Sequence, residues 1–160
     1  MGGFENDRKW IIEKKNDVAI RTMDLEEKID EYEAKKTTIE EGISRIPHDL
    51  PDELNQKIQD AIDNARAELD REAADLRQEA DDIKDTADET TDMVDILRED
   101  YSQKAESLRK VSDIPIIGRF AADEADKLCD QAEQITDLRQ ETVQYRDEAS
   151  MQYNRVIERI

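Results

Sequence analysis

Few residues in this chain lend themselves to chemistry. It has a single histidine, His48, and a single cysteine, Cys129, beside 43 acidic side chains. A dinuclear carboxylate centre in a helical bundle needs Glu-x-x-His pairs on facing helices. Arg45 stands three residues before His48, and there is no second histidine. A zinc site needs Cys and His in number, and a Ser or Cys nucleophile needs a His base, so both fail on the same count. No glycine-rich phosphate loop is present. Carboxylate pairs do acid–base work only where burial shifts their pKa values, and the acids here fall mostly on outward positions. The expectation is a non-enzymatic protein with no catalytic residue, no cofactor and no metal centre. His48 reads as a solvated turn residue. Cys129 reads as a small hydrophobe on an apolar stripe, with no intrachain disulfide.

Two other constellations invite binding rather than catalysis. In "EADDIKDTADETTDMVD", Glu79 to Asp95, eight acids accompany Lys84 alone. On a heptad frame Asp81, Asp88 and Asp95 share one outer position, and Asp85 and Asp92 share another. This strip is either a solvated face, a docking strip for a basic protein, or a weak divalent-cation site. The mid-loop glycine and turns of an EF-hand are missing. In "KVSDIPIIGRFAAD", residues 110–123, a break between polar helices carries Ile114, Ile116, Ile117 and Phe120 around Pro115. Two fates are open to these side chains. They fold inward and plug the end of the bundle, or they form an exposed apolar tip that docks on a partner or inserts shallowly into a membrane.

Of the 160 residues, 36% are hydrophobic, 4% aromatic and 42% charged. That is little apolar surface for an ordinary compact core. Yet Gly (4) and Pro (3) are scarce, which favours long helices over coil. The net charge of −19 opposes binding to nucleic acid or to an anionic membrane, both of which need clustered basic side chains. No run of roughly 18 apolar residues exists to span a bilayer, so membrane contact is expected only through residues 114–120. The opening "MGGFENDRKWIIEKK" is charged at once, unlike a cleavable signal, and Asn6 stands where a myristoylation pattern wants Ser or Thr. The expected location is the cytoplasm, with signal-less secretion as the alternative.

Hydrophobic spacing resolves three helices. The first, about residues 4–46, places Phe4, Ile11, Val18, Leu25, Tyr32, Ile39 and Ile46 at every seventh position. Its companion seam has Ile29 and Ile43 but is interrupted by Arg8, Lys15 and Lys36, while Trp10, Ile12, Ile20 and Met23 widen the stripe near the start. Pro47 stops this helix and Pro51 suits the first turn of the next, with Asp49 or Leu50 as N-cap. The second helix, about 51–112, interleaves Ile62, Leu69, Leu76, Ile83, Thr90, Leu97, Lys104 and Val111 with Ala73, Ala80, Ala87, Val94, Tyr101 and Leu108. With no Gly or Pro inside, it should run roughly 90 Å, and its alanines admit a close neighbour. The third, about 119–160, carries a drifting stripe through Ala125, Ala132, Ile135, Tyr145 and Val156, into which Arg139 and Arg146 intrude. Asp113 can cap the turn through Pro115, and Gly118 frees the backbone to reverse.

Short connections make consecutive helices antiparallel neighbours. The predicted fold is all-α, a single helical domain over residues 1–160. It is an elongated antiparallel three-helix coiled-coil rod with a long central helix. The rod should be three helices thick over about residues 70–93 and two thick at each end, where burial is poorer. Those ends should fray first or be covered.

"FENDRKWIIEKK" resembles the opening of a spectrin-type repeat, in which Phe and then Trp-Ile-x-Glu-Lys mark the first helix. Those residues would be Phe4, Trp10, Ile11, Glu13 and Lys14. The resemblance implies helices of more even length than the spacing here predicts, and we read it as convergence on an amphipathic helix start. The architecture is also similar to the small helical partners of type VII secretion systems, which implies signal-less export and heterodimers. Their Trp-x-Gly turn is absent from both connections. Lys36, Ala105, Ala149 and Ile157 stand where their Tyr-x-x-x-Asp/Glu signal would need an acid.

The functional reading is a protein–protein interaction or scaffold module that binds another helical chain, or itself as a homodimer, through exposed coiled-coil seams. Phe4, Trp10, Ile12, Ile114, Ile116, Ile117 and Phe120 are the candidate contact residues. The alternative is a signal-less secreted helical protein acting in export, or at a membrane through the 114–120 tip.

Overall fold

The computed structural model describes residues 3–160. Three helices make up nearly all of it: α1, Gly3–Ser44; α2, Asp52–Lys110; and α3, Gly118–Arg159. Every boundary lies within two residues of the one read from the spacing, because Pro47, Pro51 and Pro115 cannot sit in a helix interior. The 59 residues of α2 make a helix about 88 Å long at 1.5 Å per residue. Asp52 and Glu53 in its first turn and Arg109 and Lys110 in its last oppose the charges of the helix dipole. The N-cap, however, is Pro51 and not Asp49 or Leu50, and no side chain caps it. The proline ring holds φ at −54° while ψ of 145° keeps the residue out of the helix. Asn55 serves the carbonyls left behind: its backbone N–H donates to Pro51 and its side-chain amide to Leu50, both at 2.9 Å.

Pairs between helices set their sense. Lys28 meets Glu79, Lys35 meets Glu72 and Glu40 meets Arg66, so numbers rise along α1 as they fall along α2. The same holds between α2 and α3, where Arg109 meets Asp126 and Asp95 meets Arg139. Between α1 and α3 the numbers rise together, with Lys15 on Glu141 and Asp30 on Arg155. Thus α2 lies antiparallel to two helices that are parallel to each other. Solvent-exposed pairs of this kind contribute little to stability; they mark the register that burial holds.

Burial comes in two apolar clusters along the bundle. One gathers Val18, Leu25, Ile29 and Tyr32 of α1, Leu69 to Ala87 of α2, and Ala149 and Val156 of α3. The other gathers Ile11, Val94, Tyr101, Ala132 and Ile135, with Phe4, Trp10 and Leu97 packed against it. All three helices therefore meet from Leu69 to Tyr101, a longer zone than residues 70–93. The register is the reason: Glu40, four residues from the end of α1, meets Arg66, fourteen residues into α2. Near the connection α2 overshoots α1, which carries the start of α1 further along α2.

Between the two clusters lies a polar layer. Lys15 is only 8% exposed, and Thr90, Thr91 and Thr142 are buried with it. Each threonine hydroxyl donates to the carbonyl four residues back in its own helix, at 2.7–2.9 Å. The Lys15 ammonium lies 3.4 Å from Glu141, 3.3 Å from Asn16 Oδ1 and 5.7 Å from the centre of the Tyr145 ring. Lys15 does not interrupt the seam; it is enclosed there. Ile20 and Met23 do not widen the stripe and are exposed. Ile20 is two residues past Val18, about 200° around the helix at 3.6 residues per turn. Lys104 is likewise exposed and Ala105 is buried in its place, because a straight helix drifts about 20° per heptad.

Candidate functional site

The two ends of the bundle differ in how they are closed. At one end, between Tyr32 and Leu69, not one residue is buried. Ile39, Ile43, Ile46, Leu50, Ile58 and Ile62 are all half-buried, and Leu54 is exposed. Among the described residues α3 reaches only the level of Tyr32 and Leu69: Ile160, which follows it, packs at the edge of the first cluster and lines a groove with Tyr32, Leu69 and Ala73. The Ile160 carbonyl accepts from Arg77 at that point. Beyond it the α1–α2 hairpin presents a two-helix seam with one side open.

At the other end α2 and α3 close on each other without help. Ala105, Ala121 and Ala125 are buried and Gly118 lies at the bend. Side chains this small let the two backbones approach, so no third helix is needed. Gly118 is required for space: a Cβ there would come within 2.0 Å of the Ser112 carbonyl oxygen. The residue with a left-handed backbone is Ile116, at φ 74°, rather than Gly118. A β-branched residue in that region is strained. The N-cap of α3 is Ile117, with no side-chain hydrogen bond. The reversal is held by backbone bonds instead, Ile114 N–H to Val111 at 3.2 Å and Gly118 N–H to Ile114 at 2.7 Å.

Of the two fates open to the tip, the structure shows the exposed one. Ile116 is 100% exposed and Phe120 65%, with Ile114 and Ile117 beside them. The other contact candidates lie elsewhere. Phe4 and Trp10 are half-buried against the second cluster, where Phe4 meets the Tyr101 ring edge-on at 5.6 Å. Ile12 is half-buried on a flank of α1. The spacing placed Phe4 on the seam but could not show that its stretch of α2 would be reached by α1.

Tyr101 fastens the start of α1. Its hydroxyl donates to Asp7 at 2.8 Å, and burial, followed by that bond, raises the phenol's pKa well above the usual tyrosine value of 10.0. A raised pKa means that the fold prefers the neutral phenol. Its contribution is complete below about pH 10 and declines as pH climbs from there toward the folded-state value. Denaturation midpoints should therefore fall between about pH 10 and 11, with a slope approaching 1.4 kcal/mol per pH unit. Tyr101→Phe should flatten that slope.

The acidic strip divides. Asp81, Asp85 and Asp92 are exposed, whereas Asp88 pairs with Lys84 at 3.3 Å and Asp95 with Arg139. Among the described residues no group of three or more His, Cys, Asp or Glu side chains converges as a metal site would require. His48 is exposed in the connection, and Cys129 is a free, half-buried thiol on α3. The α1–α2 groove lined by Tyr32, Leu76, Lys28 and Glu79 is bridged by the Lys28–Glu79 and Lys35–Glu72 pairs. No described helix is long and apolar enough to cross a membrane. No protein-family model, curated protein or solved structure matches this chain.

Proposed function

We propose that this protein is a non-enzymatic interaction module whose open α1–α2 hairpin, residues 33–68, takes up a helix from another chain or the same hairpin of a second copy. One observation carries the reading: 36 consecutive residues without a buried side chain, in a bundle well buried elsewhere. An incoming helix would complete the coiled-coil seam along the stretch that the described part of α3 does not cover, covering isoleucines that now meet water on one side. Fully burying such a side chain gains about 1.5–3 kcal/mol relative to exposure, so even half-covered residues leave a substantial association energy unused.

Hydrogen exchange on the isolated chain, with its mass measured by ultracentrifugation at two concentrations a decade apart, tests this. A monomer of 18.6 kDa should exchange amides 33–68 far faster than those of 69–101. A dimer, or the chain with a bound helix, should show that difference reduced. A monomer whose hairpin is as protected as its core would sink the proposal, since the seam would then need nothing. Ile43→Asp with Ile62→Asp should abolish association and leave the Leu69–Tyr101 core folded.

A further inference from the structure

We propose that α1 exchanges between two copies of this chain, so that α1 of one protomer seats on the α2–α3 pair of the other. The surface concerned is the groove beneath α1, which is distinct from the open side of the hairpin. The fold itself shows what fills that groove: Ile11, Val18, Leu25, Ile29 and Tyr32 of α1 are at most 6% exposed there. A second copy brings the same side chains to the same place. Away from the α1–α2 connection every contact is identical in the closed and exchanged forms, so the connection decides between them.

Nothing local to that connection encodes the reversal. Backbone bonds at the end of α1 run back into it, from Arg45 to Gly42 and from Ile46 to Ile43, both at 3.2 Å. At the start of α2 they run from Asn55 to Pro51, with the Asn55 amide on Leu50. Among the described residues no backbone bond joins the two sets. No side chain caps α2, and α1 has no basic residue in its last turn to meet the negative end of its dipole. Ile46 and Leu50 each precede a proline, which biases both toward extended backbone. No side chain between Tyr32 and Leu69 is buried. The hairpin is therefore closed by the docking of α1 farther along, a docking that α1 of another copy satisfies equally.

The α2–α3 turn is the opposite in each respect. Gly118 N–H bonds Ile114 at 2.7 Å, Gly118 lies hard against Ser112, and Ala105, Ala121 and Ala125 are buried just beyond. These two helices stay paired while α1 is the one that leaves. The seat of α1 is also polar. It encloses Lys15, and where α1 meets the end of α3 the Oε1 of Glu33 and the Nε of Arg155 are buried without a hydrogen-bond partner. Unpaired buried groups weaken the contact that holds them, so α1 releases more readily than α2 and α3 separate. A short flexible connection presents its own α1 at an effective concentration on the order of 1 mM, and one biased toward extension presents less. Exchange therefore competes with closure at concentrations a test tube reaches.

Light and isotopically heavy chains, mixed equally and refolded together from urea at about 1 mM, test this. Carbodiimide joins a lysine to a touching carboxylate, and Lys35 Nζ lies 2.6 Å from Glu72. In the dimer fraction half of the Lys35–Glu72 links should join a light peptide to a heavy one; in the monomer fraction none should. A flexible Gly-Ser insert between His48 and Asp49 should lower the dimer fraction severalfold, because it lets α1 reach its own chain. A chain that stays at 18.6 kDa, a dimer whose Lys35–Glu72 links all fall within one chain, or a dimer fraction indifferent to the insert each overturns the proposal. The second of these results leaves the open-hairpin proposal standing, since copies that meet hairpin to hairpin keep each α1 on its own α2.

Discussion

Gly118→Ala is expected to destabilise the protein by about 3 kcal/mol, the upper end of what overpacking costs, through a single methyl group. The added Cβ would lie 2.0 Å from the oxygen and 2.8 Å from the carbon of the Ser112 carbonyl. Both are backbone atoms at the end of α2, so no side chain can rotate aside. Relief requires the turn to open, which pulls on the 2.7 Å bond from Gly118 N–H to Ile114. The strain then reaches Ala121, buried one turn into α3, and through it the alanine contact that holds this end of the bundle. Gly42→Ala is the matched control, since a Cβ there meets nothing within 4 Å and the residue is in α1. It should stabilise by about 0.5–1 kcal/mol, the usual helix-interior difference. Urea denaturation followed by circular dichroism reads both variants. If the two behave alike, the close approach at Ser112 has no energetic consequence.

The second large effect is a gain. Replacing the polar layer, Lys15→Ile with Thr91→Val and Thr142→Val, should raise stability by about 2 kcal/mol, as apolar substitution of a buried ion pair often does. Lys15 is withdrawn from water, yet its partner Glu141 is half-exposed, so the pair recovers only part of the desolvation cost. The threonine hydroxyls are satisfied within their own helices and add no bond between helices. What the layer adds is a penalty against slipping in one direction. A seven-residue slip of α3 that put Gln134 where Glu141 stands would leave the Lys15 ammonium without its carboxylate, and an unpaired buried charge costs about 3–5 kcal/mol; a slip the other way would bring up Glu148 instead. The apolar triple variant should therefore unfold at higher urea while sampling more than one arrangement. That would be visible as duplicated amide resonances or a broader mass distribution. Lower stability in the variant would mean that the layer contributes net energy as well as that penalty.

Much of the fold was legible because its signals are local. The helix ends follow from Pro47, Pro51 and Pro115, whose rings exclude them from a helix interior whatever lies nearby. The buried stripe of α2 follows from Leu69, Ala73, Leu76, Ala80, Ile83 and Ala87, since alternating steps of four and three stay on one side of a helix. The apolar tip was legible as composition, but its exposure was not. Ile116 could equally have turned inward, and the outcome rests on a backbone bond and a left-handed φ that residue identity does not announce.

The same limit hid the surroundings of Lys15 and Phe4. Lysine reads as an interruption of a seam until Glu141 and Tyr145 from another helix surround it. Phe4 reads as a free contact until Tyr101, ninety-seven residues away, stands beside it. Ile39, Ile43 and Ile62 lie in the two-helix end that the spacing anticipated, and among the described residues α3 reaches only the level of Leu69. The amino-acid sequence by itself determined that this chain forms three helices, where they break and which face of each is apolar, because those depend on the nearest few residues. Tertiary structure alone decided how far the helices slide past one another, and so which apolar faces are shared by three helices and which by two. Register is set by the sum of many weak contacts between distant segments, and no single residue carries it.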